Sequence, residues 1–259
     1  MLRRGRNPLS LRKNIVVTGA SSGLGEQMAR DFAAMGRNLG LCARRTDRLE
    51  KLREELLDRH PNLAVSVRAL DVNDHRRVFD VFKAFRADLG TIDRVIVNAG
   101  LGKGQSIGKG RFDANLATAQ TNFVAGLAQC EAAMEIFRDQ NAGHLVVISS
   151  IGALRGLPRN LTTYSATKAG IAALAEGIRA EMIGTPIKIT TVYPGYIASE
   201  MNEKVTQPTP LLVSTKKGVA SMVRWIEREP AKAMTPAWPW LPLSYLIKYA
   251  PLSLVRRFS

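Results

Sequence analysis

Tyr164 and Lys168 are the residues of this chain whose types and spacing best suit proton transfer. Four positions apart, they share one face of any helix that carries them, so an ammonium can lie one turn from a phenol. A free tyrosine holds its proton up to pH about 10, and an opposite charge within a few ångströms lowers a pKa by about 1–3 units. Lys168 is therefore expected to lower the Tyr164 pKa until the phenol gives and takes a proton near neutral pH. Tyr and Lys also recur at this spacing on solvated helices, so Tyr164-Ser165-Ala166-Thr167-Lys168 gains its weight from the elements around it.

Those elements read as strands alternating with helices. Ile15-Val16-Val17 is a β-branched run that ends in Thr18-Gly19-Ala20-Ser21-Ser22-Gly23-Leu24-Gly25, after which Met28, Ala29 and Phe32 fall at helical spacing. Strand, tight turn, helix is the order a dinucleotide fold needs. Gly19 permits the turn, Gly23 lets backbone approach a pyrophosphate, Gly25 lets the helix pack on the strand, and the first amides of the helix face a negative ligand. Residues 38–43 read as a second strand with Arg44-Arg45 at its end, and 64–70 as a third running into Asp71-Val72. An aspartate there is commonly a helix cap, and Asn73-Asp74 can cap equally well. A helix through Val78, Val81, Phe82 and Phe85 leads to the strand Val95-Ile96-Val97 and then Asn98-Ala99-Gly100. The loop 101–110 holds Gly102, Gly104, Gly108 and Gly110, which argues for mobility. His144-Leu145-Val146-Val147-Ile148 is apolar enough for a central parallel strand, with Ser149-Ser150 at the end where open α/β sheets gather ligands. A helix over about 163–183 bears Tyr164 and Lys168, and a strand over 187–192 leads to Pro194-Gly195.

In this order the set resembles the short-chain dehydrogenase/reductase family, from about Ile15 to about Ser199, with the spacing TGxxxGxG in place of GxGxxG. The resemblance implies an α/β fold, a single-domain Rossmann-type, doubly wound parallel sheet with helices on both faces, and an NADP(H)-dependent oxidoreductase that interconverts a carbonyl and a secondary alcohol. The implied catalytic set is Asn122, Ser150, Tyr164 and Lys168, with Ser149 as the alternative to Ser150 because the segment between Ser150 and Tyr164 is one residue longer than usual. The implied cofactor contacts are Gly19, Ser21, Ser22, Gly23, Leu24, Gly25, Asp71, Val72, Asn98, Ala99, Gly100, Tyr164, Lys168, Pro194, Gly195, Ile197 and Ser199. Arg44 is assigned to the 2′-phosphate of NADP(H), with Arg45 as a second contact; two solvated arginines before a helix is the plainer reading. Asp71 would meet the adenine amino group and Val72 would cover the ring. Ser199 stands where the family's PGxIxT turn has threonine and keeps the hydroxyl. Relatives form dimers or tetramers through the helices that carry Asn122 and Tyr164, so a homo-oligomer is expected.

The 259 residues suit one large α/β domain. We expect a basic arm over 1–13, the catalytic domain over 14–235 with a lid near 200–215, and an apolar and basic extension over 236–259. Cys42 and Cys130 form no secreted cysteine framework, so a reducing, cytoplasmic setting is expected. Three scattered histidines offer no metal spacing. The net charge of +15 suits nucleic acid, an anionic membrane or an anionic ligand, and no nucleic-acid module is visible. Residues 238–249 are too short to span a bilayer. They place Leu243, Leu246, Ile247 and Ala250 on one helical stripe between tryptophans and Arg256-Arg257, which either packs on protein or rests peripherally on a membrane. Two other functions stay open: a cofactor-binding scaffold with weak catalysis, favoured by the altered Ser150–Tyr164 spacing, and a membrane-surface protein acting through its basic, tryptophan-bearing ends.

Overall fold

The computed structural model describes residues 12–102, 104–198, 200 and 211–257. Residues 1–11 of the expected arm, Lys103, Ser199 and positions 201–210 of the expected lid lie outside them. The chain alternates strand and helix: β1 (Asn14–Thr18), α1 (Gly23–Ala34), β2 (Asn38–Ala43), α2 (Thr46–Arg59), β3 (Val65–Ala69), α3 (His75–Leu89) and β4 (Arg94–Val97). Next come α4 (Phe112–Ala119), α5 (Ala125–Gln140), β5 (Gly143–Ile148), α6 (Thr162–Glu181), β6 (Ile187–Pro194), α7 (Thr215–Arg228), β7 (Lys232–Thr235), α8 (Ala237–Tyr249) and α9 (Leu252–Arg257). The strands form a seven-stranded sheet in the order β3-β2-β1-β4-β5-β6-β7, and every neighbouring pair is parallel.

Parallel strands need crossover helices, so both faces of the sheet are covered and the central strands are apolar throughout. Val16, Val95, Val97, Leu145 and Val147 face α3, α5 and α6, while Ile15, Val17, Ile96, Val146 and Ile148 face α1, α2 and α7. Close helix packing depends on small residues: a Cβ on Gly126 of α5 would lie 2.9 Å from Ile171 of α6. All strand carboxyl ends emerge along one edge, and the strand order reverses between β1 and β4, which opens a crevice there.

Two local expectations need correction. Arg12 and Lys13, read as part of a loose basic arm, are tied down: Arg12 Nε donates to Glu229 Oε1 at 2.8 Å, and the Lys13 ammonium donates to the Gly36 carbonyl at 2.5 Å. Glu229 is only 8% exposed beside the buried Arg94 and needs that counter-charge. The last strand stops at Thr235, where Pro236 turns the chain into α8. On α8, Leu243 and Ile247 are half-buried, and Ala250 just past its end is buried, but Leu246 points outward, and Trp240 and Ser244 complete the inner face.

Candidate active site

The crevice begins at the turn between β1 and α1. Gly19 and Gly23 have φ of +65° and +57°, in the left-handed region that favours glycine. A Cβ on Gly25 would fall 2.3 Å from the Gly19 carbonyl oxygen, so the helix can start this close to the strand only with glycine there. Asn98 and Ala99 stitch the end of β4 to this turn: both backbone amides donate to the Thr18 hydroxyl, at 3.0 and 3.1 Å, and Asn98 Nδ2 donates to the Thr18 carbonyl at 2.9 Å. The Ser22 side chain forms no cap to α1, and α1 carries little charge of its own in the first turn beyond Glu26. A backbone cradle of this form can approach a pyrophosphate.

At the end of β2, Arg45 folds back over the turn, with Nε donating to Ser21 Oγ at 3.3 Å and Nη2 to Ser22 Oγ at 2.6 Å. Arg44 is exposed at the strand end. The arginine fork at this end of the crevice is built from Arg45, joined by Arg48 from the first turn of α2, a residue absent from the expected set. Asp71 accepts from Asn73 N and Nδ2, both at 3.0 Å, and remains exposed. Val72 packs into the core with Leu70, Val78, Val81 and Phe82, which leaves little of it for an adenine ring.

At the other end of the crevice β5 delivers both serines, and they divide the work. Ser149 is buried and donates to the Lys168 carbonyl at 2.7 Å, pinning α6 to the sheet. Ser150 caps the short 3₁₀ turn Ile151–Leu154 by accepting from Gly152 N at 3.1 Å, and Gly152 lies beside both this hydroxyl and the Tyr164 ring, where a Cβ would stand 3.5 Å from Ser150 Oγ and 3.8 Å from Tyr164 Cε1. The longer connection is absorbed by this turn and a second one, Arg159–Leu161, so Tyr164 still lies near Ser150. Asn122 sits in a π-helical turn, Gln120–Val124, joining α4 to α5 rather than in a regular helix. Such turns re-aim side chains and recur at functional sites. Its amide is locked: Oδ1 accepts from Leu101 N at 2.7 Å, and Nδ2 donates to Leu101 O at 2.9 Å and to Thr167 Oγ1 at 3.2 Å. Gly100 lies between Asn122 and Lys168, where a Cβ would stand 3.1 Å from Asn122 Oδ1 and 3.5 Å from Lys168 Nζ.

The expected electrostatics of the pair are not what the structure has. Lys168 Nζ donates to the Ile148 carbonyl at 2.9 Å and sits 6.0 Å from the centre of the Tyr164 ring. Burial pushes the Tyr164 phenol up from its ordinary value, the nearby Ser150 hydroxyl opposes that, and neighbouring Tyr196 adds to it. Burial instead acts on the lysine and pushes it down to about 8. With the amine held against the Ile148 carbonyl, desolvation is the leading cause of both shifts.

The fourth wall comes from the turn after β6 and from α8. Gly195 lies against Trp240, whose indole would be 2.1 Å from a Cβ at that position. Tyr196 meets the Trp240 ring edge-on, with centroids 5.3 Å apart. Ile197 is buried against Gly218 of α7. Trp240 and Tyr196 were absent from the expected set; the signal was the Trp-Pro-Trp run, which reads from sequence only as an apolar patch. Cys42 and Cys130 are buried thiols, each pushed up to about 12 by burial, and are unsuited to nucleophilic work. Among the described residues no three His, Cys, Asp or Glu side chains gather as a metal site, and no helix is long and apolar enough to cross a membrane.

Residues 13–210 match the family model described as short chain dehydrogenase. An uncharacterised oxidoreductase of Mycobacterium tuberculosis (strain H37Rv) is 51% identical over 248 residues, covering 96% of this chain and 98% of the relative. Among solved structures, an alcohol dehydrogenase from the archaeon Thermococcus sibiricus, complexed with 5-hydroxy-NADP, superposes with a TM-score of 0.76 at 26% identity, over 86% of this chain and 95% of that one. A short-chain dehydrogenase/reductase from Burkholderia phymatum in complex with NAD superposes at 0.79, with 20% identity over 95% and 96% of the two chains, a likeness of fold.

Proposed function

The chain belongs to the short-chain dehydrogenase family of oxidoreductases, and on that premise we propose that it reduces a lipophilic carbonyl compound, or oxidises the matching secondary alcohol, with NADP(H). The observation that carries this reading is the placing of the Ser150 hydroxyl and the Tyr164 ring side by side about Gly152, at the same carboxyl edge of the sheet as the glycine turn. A cofactor fits the residues present: the Gly19–Gly25 approach is too close for any side chain, and Arg45 spans both serines of the turn. In the named Thermococcus structure the bound molecule is an NADP derivative, which agrees with arginines at the end of β2.

When bound, the nicotinamide supplies or accepts the hydride. Ser150 orients the carbonyl oxygen, and Tyr164, kept protonated at neutral pH by burial, donates the proton as charge develops there. Lys168, charged below about pH 8, lies one helical turn away and holds its place through the Ile148 carbonyl, from which it can reach a ribose hydroxyl. Asn122 fixes the Leu101 backbone and the Thr167 hydroxyl next to that lysine, which keeps the polar path on its far side in register. In the reverse direction Tyr164 must lose its proton first, so oxidation is expected to rise with pH into the alkaline range.

We read a lipophilic substrate from Tyr196, 36% exposed in the turn after β6 and backed by the buried Trp240 ring, and from the outer face of α8. Trp238, Leu241, Tyr245 and Tyr249 of that face are exposed by 79%, 48%, 65% and 70%. The last 30 residues carry Lys232, Lys248, Arg256 and Arg257 and no acidic residue. Aromatic rings beside cations and no carboxylates suit peripheral contact with an anionic membrane surface. The nearness of Ser150 and Tyr164, both beside Gly152, argues against the weak-scaffold alternative, whose only support was the altered spacing. Tyr164→Phe tests the proposal: turnover of a ketone panel is expected to fall at least about 100-fold, the lower range for loss of a general acid. NADPH affinity should change less than about twofold, and retained turnover would remove Tyr164 from the mechanism.

A further inference from the structure

Glu200 stands where the chain leaves the turn after β6, and its carboxylate reaches across the crevice to the end of β2. Arg45 Nη2 donates to one of its oxygens at 3.0 Å, and Arg48 Nη1 donates to the other. The same Arg45 nitrogen donates to Ser22 Oγ at 2.6 Å, at the start of α1. Two guanidinium groups and a serine hydroxyl around one anion are the partners that the 2′-phosphate of a phosphorylated ribose takes. Here a carboxylate of the protein fills that role, and Arg48, then Arg45 and Ser22, hold it below the usual carboxylate range.

We propose that Glu200 is a tethered counter-anion that competes with the cofactor's 2′-phosphate for Arg45 and Arg48, and thereby limits the preference for a phosphorylated over an unphosphorylated nicotinamide cofactor. The proposal rests on the reading of this corner as the 2′-phosphate site. An incoming phosphate meets a carboxylate already seated between the arginines, so the carboxylate must leave or the two negative charges must share the site. A cofactor without that phosphate leaves both ion pairs intact and gains nothing from their removal. The competition is graded, because the three side chains are 40–45% exposed and a displaced carboxylate is readily hydrated. Exposed ion pairs are worth up to about 1 kcal/mol, which corresponds to about fivefold in affinity. Glu200 is thus a specificity-determining residue and takes no part in proton transfer.

The test is calorimetric titration of the full chain with 2′,5′-ADP and with 5′-AMP, which carry the adenosine end and lack nicotinamide. Wild-type protein is expected to favour 2′,5′-ADP; equal affinity for the two ligands overturns the cofactor reading itself. Glu200→Gln is expected to tighten 2′,5′-ADP about fivefold, to leave 5′-AMP within about twofold, and to lose part of the gain at high salt. Glu200→Asp, which keeps the charge on a shorter arm, should fall between. With the wild-type preference intact, an unchanged or weaker 2′,5′-ADP affinity in Glu200→Gln overturns the Glu200 proposal alone, as does an equal gain for both ligands.

Discussion

Lys168 carries the largest electrostatic cost in the crevice: an amine that is 6% exposed and whose pKa is pushed from 10.5 to about 8 by burial. Between pH about 8 and 10.5 the folded protein holds one proton fewer than the unfolded chain, so this residue's contribution to stability rises with pH across that window and is least favourable below it. A shift of that size corresponds to about 3 kcal/mol against folding at neutral pH. Lys168→Met is therefore expected to unfold at higher denaturant at pH 7, by about 1–2 kcal/mol after loss of the Ile148 contact, while turnover collapses. A variant less stable than wild type in a urea titration would show that the lysine is a structural anchor. At this scale the identities of Tyr164, Lys168 and the glycines were legible in the sequence, because backbone approach and proton chemistry each admit few residue types. The direction of the Tyr164 shift was not, since spacing along a helix says nothing of where an amine four carbons long finds its acceptor.

The loops at the carboxyl edge are fitted to one another more closely than their glycine content implies. Four glycines between 101 and 110 read as mobility, yet a Cβ on Gly104 would lie 2.3 Å from the Asn160 carbonyl oxygen, and Gln105 N donates to Asn115 Oδ1 at 3.0 Å. The glycine is there because this loop packs against the connection that brings Tyr164 to Ser150. Gly104→Ala is expected to push the two apart and to lower kcat/KM for the carbonyl by about tenfold, on the scale of about 1.4 kcal/mol, with the NADPH Kd unchanged. An equal loss in cofactor affinity would mean that the whole edge had shifted. The strands and helices themselves were plain in the sequence, from β-branched runs and 3.6-residue apolar spacing. The π-turn under Asn122 and the inward side of α8 were not, since both arise from tertiary packing, Trp240 filling the space above Gly195.

Over the whole molecule, α8 has two faces: Trp240 is buried against Gly195, and Trp238, Tyr245 and Tyr249 look outward. Replacing Trp238, Tyr245 and Tyr249 together with serine is expected to reduce sedimentation with phosphatidylserine vesicles at least about tenfold at low salt, without changing the melting temperature by more than a few degrees. Equal sedimentation of wild type and variant would assign this face to another subunit or to nothing, a choice that light scattering of the same pair resolves. The net charge of +15 alone could not distinguish these partners, because it reports attraction to anions and no geometry. The central claim concerns where the hydride and the proton go, and stereospecifically deuterated NADPH tests it most directly. Mass spectrometry of the alcohol product should find one deuterium at the carbinol carbon from one face of the nicotinamide only, and in Tyr164→Phe product formation should cease. Product without deuterium from either face, or undiminished transfer in the phenylalanine variant, would contradict the account.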